Sequence, residues 1–87
     1  MRAEICKARN GVVVRLYERE NDLWKVGIVW ADFVVVNQYK EGTLLDICTD
    51  KGIMAYFFIE SYKCEDEVKD KVHVKDHREK KEVADAR

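Results

Sequence analysis

Apolar and polar positions alternate along much of the first sixty residues, and short polar interruptions divide that stretch into strands. The interruptions that carry turn chemistry are Asn10-Gly11, Lys40-Glu41-Gly42 and Asp50-Lys51-Gly52. Asn and Gly tolerate the positive φ that a two-residue hairpin loop requires. Such a loop at Asn10-Gly11 pairs Arg9 with Val12 and Ile5 with Leu16. One face of this hairpin then carries Ala3, Ile5, Val12, Val14 and Leu16 and reads as core. The other carries Glu4, Cys6, Val13, Arg15 and Tyr17 and can meet water.

A polar connection, residues 18–22, leads to a strand from Leu23 or Trp24 to about Trp30. Ala31-Asp32 breaks the apolar run, so a bend is expected before a new strand from Phe33 to Gln38. One long strand with a bulge is the alternative. The two later turns each place a Gly behind two polar residues, the pattern of a three-residue hairpin loop. The first pairs Tyr39 with Thr43 and Val35 with Ile47, and the second pairs Thr49 with Ile53 and Leu45 with Phe57.

These registers collect Phe33, Val35, Leu45, Ile47, Ile53, Ala55, Phe57 and Ile59 on one face. The opposite face receives Val34, Val36, Leu44, Cys48, Met54, Tyr56 and Phe58, with Asp46 its main charged member. Both faces are apolar, and a one-residue slip exchanges them without removing the surplus. Burying one large apolar side chain is worth about 1.5–3 kcal/mol. Leaving six or seven in water forfeits much of the roughly 5–15 kcal/mol by which a domain is stable.

Three covers are available: curling of the sheet, the C-terminal segment, or a second copy of the chain. From residue 65 onward the apolar side chains are Val68, Val72, Val74, Val83, Ala84 and Ala86, a poor cover. Val68 and Val72 share a helical face, and Glu65–Lys69 and Glu67–Lys71 are favourable i,i+4 pairs. A helix from near Glu65 and a charged tail are therefore expected. A short strand at 70–75, where Lys71-Val72-His73-Val74-Lys75 alternates, is the rival.

The predicted fold is all-β, or β-rich α+β. An antiparallel meander of five to six strands forms a small barrel or strongly curved sheet over residues 1–63, and residues 64–87 supply the charged C-terminal helix or tail. In strand count and loop length the first two thirds resembles a small SH3-like or Sm-like barrel. A homodimer is the expected partner state, with Val34, Val36, Leu44, Met54, Tyr56 and Phe58 as candidate interface residues, alongside a protein partner whose identity the sequence does not give.

Composition narrows the function further. The 87 residues carry 16 Lys/Arg against 17 Asp/Glu, a net charge of −1, without the basic excess typical of phosphate-backbone binding. No run is long enough to span a bilayer, so no membrane partner is expected. The start, Met1-Arg2-Ala3-Glu4, runs directly into a strand pattern rather than an export signal, which predicts a cytoplasmic protein. An absence of Pro and scarcity of Ser and Gln, beside abundant Val, Lys and Glu, match the bias of heat-adapted proteins.

Catalytic chemistry finds little support. Cys6, Cys48 and Cys64 are odd in number and widely spaced, which argues against a disulfide framework and against paired zinc-ligand spacing. Arg15 faces Cys6 in the predicted register, without a histidine to serve as base. His73 and His77 share a helical turn, but Val74 stands where the zinc-protease motif has Glu. The isolated glycines form no phosphate-cradling loop, and Ser61 lies in no nucleophile elbow. Neither a cofactor nor a metal is expected, nor enzymatic activity.

The leading expectation is a non-enzymatic module for protein–protein interaction and self-assembly, such as an accessory or regulatory protein of a microbe or virus. The alternative is a nucleic-acid-binding small β-barrel, with Arg15, Tyr17, Trp24, Lys25 and Trp30 as stacking and charge-bearing groups.

Overall fold

The computed structural model describes residues 1–20 and 23–78, with the side chain of Glu20 excepted. The strands are β1 (Arg2–Ala8), β2 (Gly11–Glu20), β3 (Leu23–Ala31), β4 (Phe33–Tyr39), β5 (Gly42–Thr49), β6 (Gly52–Ile59), β7 (Ser61–Cys64) and β8 (Val72–Asp76). A short 3₁₀ segment, Asp66–Lys71, joins β7 to β8. The all-β character expected from the sequence is therefore present.

Two four-stranded sheets share the work, in the orders β3-β2-β1-β7 and β6-β5-β4-β8. They follow one plan. Each is an antiparallel meander of three strands whose first strand accepts a late strand in parallel, β7 on β1 and β8 on β4. Ala3, Ile5, Val14 and Leu16 of the first sheet occupy the places of Val34, Val36, Leu45 and Ile47 in the second. All eight are buried. The inner faces join Val12, Ala31, Ile59 and Val68 in one core.

Single residues carry the chain from one sheet to the other. Asp32 separates β3 from β4, and its N–H donates to the Cys48 carbonyl at 2.9 Å. Its carboxylate accepts from the Asp50 N–H at 2.9 Å, which ties this corner to the β5–β6 turn. Glu60 separates β6 from β7, and its N–H donates to the Met1 carbonyl at 2.8 Å.

The structure corrects three expectations. The sheets are open, so there is no closed barrel. The charged C-terminal helix is replaced by the 3₁₀ segment and β8. Val68 leaves helical geometry there (φ −117°, ψ 17°) and enters the core, while Val72 to Asp76 pair with Val34 to Gln38. A strand wins because β4 would otherwise be an edge, and a helix from this segment has too little apolar surface to bury. Of the expected tail, residues 79–87 lie outside the described residues.

The third correction is register. Each hairpin loop has two residues, and the Gly that follows opens the next strand, giving Ala8–Gly11, Tyr39–Gly42 and Thr49–Gly52 pairs. In the first hairpin this moves the pairing by two residues, so Ile5 faces Val14 and both faces keep their members. Between β4 and β5 it moves the pairing by one, so Val34 faces Ile47 and the β4 faces exchange. Between β5 and β6 an irregularity after Ile47 compensates, and Leu45 faces Phe57 as expected.

Candidate interaction surfaces

The outer face of the second sheet is apolar along its edge strand. On β6, Phe58 is 69% exposed, Tyr56 65% and Met54 52%, beside Ile53. Leu44, half-buried, sits across from Phe58, and Asp46 across from Tyr56. Four of the six interface candidates thus gather here: Leu44, Met54, Tyr56 and Phe58. Val34 and Val36 do not. Both are fully buried, because the one-residue slip of β4 turns them inward.

Behind this edge the same face holds a polar cluster. Asn37 is only 5% exposed. Its Nδ2 donates to the Leu44 carbonyl at 3.2 Å and to Asp46 Oδ2 at 2.8 Å. Its Oδ1 lies 2.9 Å from His77 Nε2. The His77 ring stacks on Tyr39 at 4.4 Å between centroids, and His73 meets Phe33 edge-on at 5.5 Å. Both histidines are thus placed structurally. In extended chain a four-residue separation spans about 13 Å, too far to share a metal ion, and the described residues contain no cluster of three metal-ligating side chains.

The first sheet presents a different outer face. Trp24, Val26, Ile28 and Trp30 of β3 form an exposed stripe, aligned with Arg19, Tyr17, Arg15 and Val13 of β2. Arg2 and Glu4 on β1 and Lys63 on β7 complete it. The Arg2 guanidinium stands 4.7 Å from the Trp24 ring centroid and that of Arg19 stands 5.5 Å away. Tyr17 donates to Glu4 at 2.9 Å. This face gathers Arg2, Arg15, Arg19 and Lys63 around Glu4, with Glu18, Glu60 and Glu65 at the clefts along its border. Arg15, Tyr17, Trp24 and Trp30 lie together on it. Lys25 is directed to the inner side, opposite Glu18.

All three cysteines are free thiols. Burial pushes each thiol pKa above its ordinary value; Glu65 adds to this at Cys6, and Asp46 at Cys48, while at Cys64 Lys69 opposes it. A reactive cysteine needs the opposite shift. Arg15, expected across from Cys6, is across from Glu4, and Cys6 faces Val13.

Clefts are shallow. One of about 260 Å³ is lined by Arg2, Glu4, Tyr17, Tyr62 and Lys63 among others, and one of about 330 Å³ lies between Arg2, Arg19, Trp24, Glu18 and Glu60. Small-molecule pockets usually span about 300–1,000 Å³ and enclose most of their ligand. No protein family, curated protein or solved structure matches the chain.

Proposed function

We propose that this chain is a non-enzymatic β-domain that works through protein–protein contact and self-assembly. The carrying observation is the outer face of the second sheet, where Met54, Tyr56 and Phe58 each expose more than half of their surface along one edge strand. Scattered exposed apolar residues are ordinary on a protein surface, whereas a contiguous apolar patch marks a contact site. Leu44 continues the patch onto β5, and Asp46 gives it a polar border. A second copy of the chain is the partner, and the homodimer forms through this face. Replacing Tyr56 and Phe58 with Glu removes this contact and shifts self-association, followed by light scattering, to at least tenfold higher concentration. A dimer unaffected by the double change would remove this surface from the account.

A second reading has its own support in the basic outer face of the first sheet. Arg2, Arg15, Arg19 and Lys63 surround Tyr17, Trp24 and Trp30, the combination of charge and stacking groups that single-stranded nucleic acid uses. Titration with a single-stranded oligonucleotide at two salt concentrations tests it. Binding through phosphates weakens steeply as salt rises, while an apolar dimer does not.

A further inference from the structure

We infer that β3 is a second self-association site, at which two copies join edge to edge as antiparallel strands centred on Gly27, fusing their first sheets into one. This rests on the reading of the chain as self-assembling, but it uses a different surface from the β6 face.

The argument starts with the four sheet edges. An edge strand offers unpaired backbone donors and acceptors, and proteins normally shorten, bulge or charge it. Strands β7 and β8 are short, with four and five residues, and β8 ends in Lys75 and Asp76. β6 breaks register near Met54. β3 keeps one of these protections, the inward-directed Lys25, and is otherwise the longest and most regular of the four edges. It runs for nine residues and pairs with β2 without interruption. Lys25 is its one charged residue.

The second observation is an overhang. Residues 23–28 are exposed whichever way their side chains point, whereas Val29 is half-buried and Ala31 buried. The last third of β3 is thus backed by the core, and the first two thirds project beyond it. An antiparallel partner reduces this mismatch, because it lays residues 23–25 of each strand beside the core-backed residues 29–31 of the other and covers the exposed centre, 26–28, with its own counterpart.

Full overlap of the nine residues fixes the register. Gly27 then lies opposite the partner's Gly27, where a Cβ would meet nothing within 4 Å in the single chain. Val26 faces the partner's Ile28, and Trp24 faces the partner's Trp30. Leu23 reaches the partner's Ala31 at the border of its core. Lys25 faces the partner's Val29, so no like charges oppose each other. Trp24 and Trp30, 47% and 66% exposed, contribute at most roughly 250–300 Å² per copy on the usual scale for buried aromatics. A stable interface buries about 800 Å² per partner. The backbone hydrogen bonds of strand addition make up part of the difference, and the pairing is weak and concentration-dependent.

Both contacts are twofold, so together they build assemblies larger than a dimer, closing as a tetramer where the axes intersect at right angles.

Val26→Lys and Ile28→Glu test the register. Each variant alone raises the dissociation constant of this contact at least tenfold, measured by sedimentation in the Tyr56→Glu, Phe58→Glu background, where the other contact is removed. Mixing the two variants restores dimers, because position 26 of one copy meets position 28 of the other. Circular dichroism verifies that each variant is folded. A Tyr56→Glu, Phe58→Glu protein that stays monomeric at millimolar concentration overturns the β3 pairing. So does a dimer insensitive to Val26→Lys, or a mixture that fails to reassociate. A β6-dependent dimer seen alongside any of these leaves the proposed function standing.

Discussion

Asn37 and His77, forty positions apart, are joined by a 2.9 Å hydrogen bond between Asn37 Oδ1 and His77 Nε2. The His77 N–H also donates along the backbone to the Gln38 carbonyl at 2.9 Å. This pair fastens the end of β8 to β4 and gives the amide a third hydrogen bond in a nearly closed site. Asn37→Leu removes the side-chain donor to the Asp46 carboxylate and the Leu44 carbonyl and the acceptor of His77 Nε2. A loss of about 1–3 kcal/mol is expected, read from urea unfolding. His77→Ala costs less, since Asn37 keeps both of its donor bonds.

Gly11 and Gly42 separate backbone strain from crowding. Both have positive φ, +125° and +151°. A Cβ on Gly11 would collide with the Ala31 carbonyl oxygen, whereas one on Gly42 meets nothing within 4 Å. Gly42→Ala is expected to destabilise by about 1 kcal/mol through backbone strain. Gly11→Ala is expected to cost a further 1–3 kcal/mol or so, because it must displace the β3–β4 corner. Thermal unfolding of the two variants side by side checks the order.

Val68 tests whether the segment after β7 belongs to the core. It is 1% exposed on a 3₁₀ segment otherwise made of charged residues. Val68→Ala is expected to destabilise by about 1.5–3 kcal/mol, the scale of one buried aliphatic side chain. Val68→Thr, which keeps the shape and adds a hydroxyl with no partner in the core, is expected to be of comparable severity. A neutral outcome for both in chemical denaturation would detach this segment from the folding unit.

Asp76 titrates near 2, below its ordinary 3.8, because it accepts from the Arg78 side chain and backbone N–H. The contacts measure 2.9 Å to Arg78 N, Nε and Nη2. A carboxyl more acidic in the folded chain stabilises it above the unfolded pKa, and that contribution disappears as pH falls through 3.8 towards 2. Arg78→Ala returns the Asp76 midpoint upward towards 3.8, which NMR titration of its carboxyl carbon reads directly. The surrounding solvent keeps the associated change in stability small.

Parity explains which parts of this structure were legible in the sequence. The turn glycines marked three hairpins, but each opens a strand instead of completing a loop. An error of two positions left Ala3, Ile5, Val12, Val14 and Leu16 on the core face, since side chains alternate with period two. An error of one position reversed β4 and exchanged Val34 and Val36 with Phe33 and Val35. Leu44, Tyr56 and Phe58 remained on the outer face because β5 and β6 recover their expected pairing through the irregularity at Met54. The alternation at 71–75 offered the strand that became β8 as the rival to a helix, but the parallel additions of β7 and β8 left no trace of their pairing. Each is short, and parallel pairing to a strand some forty to sixty positions earlier has no local signature. The basic face was obscured for a related reason: Arg2, Arg15, Arg19 and Lys63 meet only after β1, β2 and β7 are side by side.

The account depends on apolar outer faces drawing copies of the chain together. Multi-angle light scattering across a concentration series up to about 1 mM measures this most directly. The mass is expected to rise above the 10.3 kDa of one chain as concentration increases, and to hold or rise further with added salt, because the arginines of the first sheet repel their counterparts at low ionic strength. A mass that stays at 10.3 kDa throughout would contradict self-assembly through either face.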